Sequence, residues 1–445
     1  MNPVPFAEAV RVWLKIGLLS FGGPAGQIAL MHRLIVEEKR WVSEARFLHA
    51  LHYCMLLPGP EAQQLATYIG WLLHRTLGGL VAGVLFILPG FILMTAIAIA
   101  YVCYGELDGM QGLLFGMQAA TLAIVVEAVI RVGRKALKHR ALYALAAAAF
   151  IAIFAFGVPF PLIIAAAAAI GIAGHRLAPQ VFGGSAAQNS EDGAGIDTTP
   201  AHTHPPAGWI LRVLFSGAAL WGVPVLLLLA TLGLHSVYTQ QALFFSKMAV
   251  VSFGGAYAVL AYMTQQAVER YGWLTPGEMV QGLALAETTP GPLILVLTYV
   301  GFIGAYRDPA GLDPLLAGTL GATLSTWVSF VPCFVWIFLG APFIERLRGN
   351  VWLAAALTGI TAAVVGVILN LSIWFALHVL FDEVGRWQAG ALQLALPRWS
   401  SLNLVALALA AGAMLALLRW RVGLLKTLAA CALLGLAARL SGITT

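Results

Sequence analysis

Ser20-Phe21-Gly22-Gly23 and Pro58-Gly59-Pro60 return 232 residues later as Ser252-Phe253-Gly254-Gly255 and Pro290-Gly291-Pro292. The same offset pairs Lys15 with Lys247, Glu37 with Glu269 and Trp41 with Trp273, without a gap. From Lys15 to Leu65, 15 of 51 positions are identical to their counterparts. Repetition of this kind marks a duplicated structural unit. The decisive residues are Gly and Pro, which break a helix rather than extend it.

The composition fixes where such a duplicated chain lives. Of 445 residues, 60% are apolar and 10% charged, whereas soluble domains carry about 25% charged residues. Mean hydropathy is +0.87. Stretches such as Leu77–Tyr104, Trp209–Leu234 and Leu315–Leu339 reach the roughly 20 apolar residues that cross a hydrocarbon core. They are continuous rather than alternating, so helices and not a barrel are expected. The net charge of +6 comes from short clusters between these runs, as in Arg131–Arg140 and Arg419–Lys426. Cytoplasmic loops account for them, and no nucleic-acid partner is expected. Glu8, Arg11 and Lys15 interrupt the first apolar stretch, which does not read as a cleavable signal.

Helical segments are predicted near residues 12–31, 47–73, 77–104, 109–131, 140–156 and 159–177, with the order repeated after an extra span near 209–234. The expected fold is an all-α polytopic membrane protein of about thirteen transmembrane segments. Its divisions are a first repeat over 1–177, a disordered linker over 178–208, an extra linking helix over 209–236 and a second repeat over 237–445. The linker has almost no large apolar residues and carries Gly183-Gly184, Ser190-Glu191-Asp192-Gly193 and His202-Thr203-His204-Pro205-Pro206, a composition that does not form a core. Six crossings plus one invert the second copy. Inversion puts Arg346, Arg348, Arg419, Arg421 and Lys426 on the cytoplasmic side with Arg131–Arg140, and Glu106, Asp108, Asp382 and Glu383 outside, as the positive-inside rule requires. Whether the early broken segments cross or re-enter stays open.

Inverted repeats with helices interrupted at corresponding places point to a transport site near the membrane midplane. The breaks at Gly22-Gly23 and Gly254-Gly255, and at Pro58-Gly59-Pro60 and Pro290-Gly291-Pro292, start new helices whose first N–H groups are unpaired and electropositive, a cradle for an oxyanion. Packing kinks are the alternative reading. Lys15 and Lys247 are candidates to neutralise a dianion, or else they snorkel to the interface. Ser20, Gln27, Ser252 and Thr289 are candidate donors to the ion, with Gln63, Gln64 and Thr288 nearby in sequence. These side chains equally suit the backbone carbonyls that a kink frees. Glu61, Glu287 and Glu127 are candidates for proton coupling. Position 293, equivalent to Glu61, is Leu, and position 55, equivalent to Glu287, is Met, so this chemistry is asymmetric. Cys54, Cys103, Cys333 and Cys431 lack metal or redox spacing, and His202 and His204 in the linker read as solvated chain. No metal site and no cofactor are expected. No GxxxxGK[ST] nucleotide loop occurs, which argues against direct ATP drive.

The Ser20–Ala25 segment, the Glu37–Trp41 segment, both Pro-Gly-Pro turns and Ser252–Gly255 resemble the chromate ion transporter family. The resemblance covers both halves. It implies a bidomain inner-membrane carrier, not an enzyme, that exports chromate by proton-driven antiport and gives chromate resistance. Sulfate, alike in shape and charge, is the alternative cargo, and an anion channel is the alternative mechanism. Membrane lipid is an expected partner, and association into a homodimer is a further expectation. Ala256 replaces Pro24 in the second copy, so the two cradles need not be equivalent.

The inverted reading makes a direct topological prediction. Reporter fusions after Lys138 and after Arg421 should give cytoplasmic signals, and fusions after Glu106 and Asp382 external ones. An external signal at Arg421 would contradict inversion.

Overall fold

A computed structural model describes residues 4–182, 208–253, 255–341, 351–390 and 392–443. The expected linker therefore lies mostly outside the described residues, as do His202, His204, Gly254, Arg346 and Arg348. Its first positions are helical, with Pro179–Phe182 forming a single turn whose Phe182 is buried against Gly174.

The first half begins with α1 (Phe6–Leu19) and α2 (Gly23–His32), which runs into a π-helical turn at Arg33–Glu38. It continues with α3 (Glu44–Cys54), α4 (Glu61–Tyr104), α5 (Asp108–Ala136), α6 (Arg140–Phe156), α7 (Phe160–Leu177) and the turn α8 (Pro179–Phe182). After α9 (Trp209–Leu232) the order repeats as α10 (Val237–Val251), α11 (Ala256–Thr264) with a π turn at Gln265–Arg270, α12 (Pro276–Thr288), α13 (Val296–Arg307) and α14 (Pro314–Gly340). The chain ends with α15 (Val351–Leu380), a hairpin of β1 (Val384–Ala389) and β2 (Leu392–Pro397), α16 (Leu404–Met414) and α17 (Leu424–Leu440). The duplication extends to local irregularity, because the two π turns sit at the same 232-residue offset. The hairpin pairs Val384 with Pro397 and Ala389 with Leu392. No strand is among the elements expected from the sequence, where Asp382 and Glu383 mark only an external connection.

Among the described residues six helices, α4, α5, α7, α9, α14 and α15, are long and apolar enough to cross a membrane. Their apolar side chains also face outward. On α4, Leu77, Leu80, Val84, Leu88 and Ile92 form an exposed stripe, a pattern that a soluble helix keeps inside and that lipid tails satisfy. The protein is a multi-pass membrane protein of helices. By contrast, α1, α2 and α3 have 14, 10 and 11 residues, giving ~15–21 Å each, short of the ~30 Å hydrocarbon core.

The long helix α4 is two helices in one. His74 (φ −138°) and Arg75 (φ +55°) leave the helical region, and the chain reverses there. The two arms pack antiparallel through glycine, so a Cβ on Gly70 would lie 2.4 Å from the Gly78 carbonyl oxygen, and one on Gly78 2.3 Å from that of Gly70. His74 secures the reversal, with Nε2 2.7 Å from the Val4 carbonyl oxygen and its ring edge-on to Phe6. The second half builds the same hairpin from α13 and α14, where a Cβ on Gly321 would lie 2.3 Å from the Gly301 carbonyl oxygen.

The chain forms two compact units: Met1–Ala96 with Ser185–Ala256 and Thr289–Asn350, and Ile97–Gly184 with Tyr257–Thr288 and Val351–Thr445. The first has a core of Trp13, Ile16, Met31, Ile35, Phe47 and Tyr53 with Ile337 and Phe338 of α14. Against α14 lies α9, held by Trp209 Nε1 donating to the Phe338 carbonyl (3.1 Å) and Trp327 Nε1 to that of Leu220 (2.8 Å). In the second unit, α5 packs on α17 and α15 packs on α6 and α7 through small residues, as where a Cβ on Gly359 would stand 2.3 Å from the Ala167 carbonyl oxygen.

The glycine seams predict a graded response. Gly78→Ala and Gly321→Ala should each destabilise the protein by ~1–3 kcal/mol or more, because backbone must move. Gly222→Ala on α9, with nothing within 4 Å of its Cβ position, should be neutral or stabilising. Thermal unfolding of the purified protein reads this order, and equal midpoints for all three variants would contradict the packing.

Candidate functional site: the crossed helix breaks

All four breaks, at the described positions, belong to the first unit. The structure crosses them between repeats. The Gly291 N–H of the second Pro-Gly-Pro turn donates to the Ser20 carbonyl of the first half (2.9 Å), and the Gly59 N–H of the first turn donates to the Ser252 carbonyl of the second (3.1 Å). These bonds are equivalent under the repeat, donor to donor and acceptor to acceptor. Each turn also packs on the long helix of the other half. A Cβ on Gly59 would lie 2.8 Å from Cys333 Sγ of α14, and one on Gly90 of α4 would lie 2.2 Å from the Pro290 carbonyl oxygen.

Local sequence explains why the chain bends there. Gly22, Gly23, Gly59, Gly255 and Gly291 all have positive φ, between +69° and +122°, which glycine adopts at little cost. A proline cannot continue the preceding helix, yet suits the first turn of the next. The two kinds of glycine then differ. Gly59 and Gly291 are packed, the latter with Leu295 and the Phe86 carbonyl oxygen within 3.4 Å of a Cβ, whereas a Cβ on Gly22 or Gly23 meets nothing within 4 Å. Gly22 caps α2 without any side-chain acceptor. Gly23, the first residue of α2, is buried, and the first N–H groups of this helix form the positive end of its dipole.

The candidate side chains divide by what they bind. Ser20 Oγ donates to the Ile16 carbonyl (2.6 Å) and Ser252 Oγ to that of Ala249 (3.0 Å), so both hydroxyls close the end of their own helix. Gln27 is buried and donates through Nε2 to the Gly291 carbonyl (2.6 Å). Both backbone groups of Gly291 are thereby held by the first half. Gln64 Nε2 donates to the Pro58 carbonyl (2.7 Å), and Gln63 Nε2 to Thr67 Oγ1 (3.0 Å). Thr288 Oγ1 donates to the Leu285 carbonyl (2.7 Å), while Thr289, Pro290 and Pro292 are buried within the second break. Pro60 is buried and Pro58 half-buried.

Lys15 and Lys247 are not among the buried groups. Lys15 is exposed beside Leu14, Leu18 and Leu19, and Lys247 is exposed on a face shared with Leu243 and Val250. This placement suits long stems along lipid with the ammonium reaching a polar boundary. The candidate carboxylates separate too. Glu61 Oε1 stands 3.7 Å from the Cβ position of Gly255, which brings it to the second-half break. In the second unit, Glu287 is buried and accepts a hydrogen bond from Tyr257 Oη (3.0 Å), and Glu127 lies 3.9 Å from Arg131. Sequence reading did not single out Tyr257 or the place of Cys333 beside Gly59. The signal for Tyr257 was present, since its counterpart in the first half is Ala25 just as that of Glu287 is Met55. The four cysteines are free, with Cys103 exposed and the others buried. Among the described residues, no group of three or more His, Cys, Asp or Glu side chains is placed to hold a metal ion.

Gln27 gives the crossing its test. Gln27→Leu keeps the volume close but leaves the buried Gly291 carbonyl without its side-chain donor, a loss of about 1–3 kcal/mol. Thermal unfolding of the purified variant should shift down accordingly, and an unchanged midpoint would show that this bond does not hold the breaks together.

Comparison with known proteins agrees with the repeat. The chromate transporter family matches residues 7–172 and again 239–436. A protein of Pseudomonas aeruginosa named chromate transport protein is 32% identical over 376 residues, covering 82% of this chain and 80% of its own length. A probable chromate transport protein of Synechococcus elongatus is 28% identical, covering 84% and 86%, and a chromate transport protein of Cupriavidus metallidurans is 26% identical, covering 84% of each. No solved structure matches this chain. With both halves matched, and with a duplicated set of helix breaks locked across the repeat, the chain belongs to the chromate transporter family, a family of transporters and not of enzymes.

Proposed function

We propose that this protein is a secondary carrier that exports chromate across the inner (plasma) membrane, coupled to protons, and so confers chromate resistance. The observation that carries this reading is the pair of crossed breaks. Two helix breaks from each repeat meet in one unit, and at Gly22-Gly23 a helix starts without a side-chain cap and with room at both glycine Cβ positions. That is the arrangement by which carriers present helix N-termini to an anion near the midplane. The names of the relatives supply chromate as cargo. Sulfate has the same tetrahedral shape and charge and competes for the same cradle.

The two cradles have unequal electrostatics. Glu61 stands beside Gly255, whereas its equivalent in the second half is Leu293. The oxyanion is accordingly assigned to the Gly22-Gly23 side, with Glu61 biasing its exit from the Gly255 side. Lys15 and Lys247, exposed on α1 and α10, act by drawing the dianion toward the protein rather than by contacting it at the crossing.

Labelled chromate and sulfate flux into proteoliposomes, with and without a pH gradient, tests the reading. Saturable flux of both ions that responds to the gradient is expected, and conductance without coupling would indicate a channel. Gly22→Val, which directs side-chain bulk into the open space and disfavours positive φ, should lower chromate affinity at least tenfold. Normal affinity in correctly inserted Gly22→Val would reject the cradle there.

A further inference from the structure

The second unit contains a buried ionisable set that the crossed breaks leave unused. Tyr257 is the second residue of α11, two positions after Gly255, and Glu287 is the penultimate residue of α12, three positions before Pro290. The hydrogen bond from Tyr257 Oη to Glu287 Oε1, 3.0 Å long and buried, ties together the two segments that lead into the second-half breaks. Resting on the carrier reading above, we infer that Glu287, positioned by Tyr257, is the group that takes up and releases the coupled proton, at a position whose first-repeat equivalent carries no ionisable side chain.

Geometry and charge count support it. The elements that pack most on α12 are α5 and α15, with α11 joined to it through Tyr257 and α4 reaching its first turn through Tyr101 Oη, which donates to Glu278 Oε1 (3.4 Å). From α5, the charges of Arg131 and Glu127 act on Glu287. From α11 the facing group is Tyr257, and α15 carries a single titratable side chain, His378, whose Nδ1 lies 2.8 Å from the Trp374 carbonyl oxygen. One cation thus serves two carboxylates. With the guanidinium counted as a cation and both carboxylates as anions, the set of Arg131, Glu127 and Glu287 has a formal charge of −1. It is neutral once a proton binds Glu287. Buried charge inside a membrane protein is costly unless balanced. Glu287 itself is buried, so gaining or losing its charge is a large change of state, of the kind a carrier needs to distinguish its loaded and return legs.

The positions of the set suit proton exchange. Glu287 is 5% exposed, whereas the side chains of Glu127 and Arg131 are 31% and 44% exposed, on the last turns of α5 before Arg134 and Lys135. A proton arriving there passes to a carboxylate already held in place by a phenol. Tyr257 donates to the ionised carboxylate and keeps donating to the carbonyl oxygen of the acid, so the geometry survives the transfer. In the first repeat the equivalent pair is Ala25 and Met55, which can neither hold nor position a proton.

The test uses the full-length protein in proteoliposomes, with two readouts: exchange of labelled sulfate for sulfate at equal pH, and flux driven by a pH gradient. Glu287→Gln should exchange within about twofold of wild type and lose the response to the gradient. Tyr257→Phe should remain coupled but move the pH of half-maximal flux, an effect that a purely structural role does not produce. Gradient response retained in Glu287→Gln overturns the inference. If Glu287→Gln loses exchange as well, Tyr257→Phe decides, and an unmoved pH midpoint overturns it. Wild-type protein without exchange would instead count against the carrier reading, which is how the two failures are told apart.

Discussion

Two backbone hydrogen bonds, from Gly59 N–H to the Ser252 carbonyl and from Gly291 N–H to the Ser20 carbonyl, are the constraint on which the rest of the first unit depends. A helix interrupted inside a membrane protein leaves polar backbone groups that lipid cannot satisfy. Here each repeat uses the break of the other to satisfy its own. The exchange explains why both copies keep Ser-Phe-Gly-Gly and Pro-Gly-Pro at one spacing, since moving either motif separates a donor from its acceptor. It also explains the glycine seams of α4 with its own returning arm and of α13 with α14, because the broken arms must lie close to the long helices that support the opposite turn.

Function follows from where this symmetry fails. The bonds that hold the breaks are equivalent in the two halves, but the side chains around them are not. Gln27 grips Gly291, while its counterpart beyond the other break is Val259. Glu61 stands beside Gly255, while Leu293 takes its place in the second copy. Tyr257 and Glu287 are bonded, while Ala25 and Met55 take their places in the first. On the proposed carrier reading, duplication supplies a frame with two related conformations, and these few divergent polar positions are what would make it directional.

Much of this was legible in the sequence. Composition gave the membrane, the 232-residue offset gave the repeat, and Gly and Pro gave the breaks, because these signals are local and backbone-based. The reversal near residue 75 was visible as a gap between the predicted segments 47–73 and 77–104. What could not be read was partnership. Nothing in one strand of sequence says that Gly291 bonds Ser20 rather than Ser252, since either pairing preserves spacing. Side-chain direction was equally hidden. Lys15 and Lys247 read in the sequence either as ion ligands or as snorkelling side chains, and the helix phase places both on exposed faces. Ser20 and Ser252 look like ion donors, yet their hydroxyls close the helices that end beside them. The β hairpin at Val384–Pro397 went unseen because two six-residue strands carry too little pattern beside a charged loop.

The mutual dependence of the two breaks is most directly measured by splitting the chain after residue 182 and expressing the halves separately and together. If the crossing holds the protein, neither half alone accumulates in the membrane, since each lacks the acceptor for its own turn, and co-expressed halves purify as one complex that moves chromate. A first half that is stable and folded without the second would contradict the account.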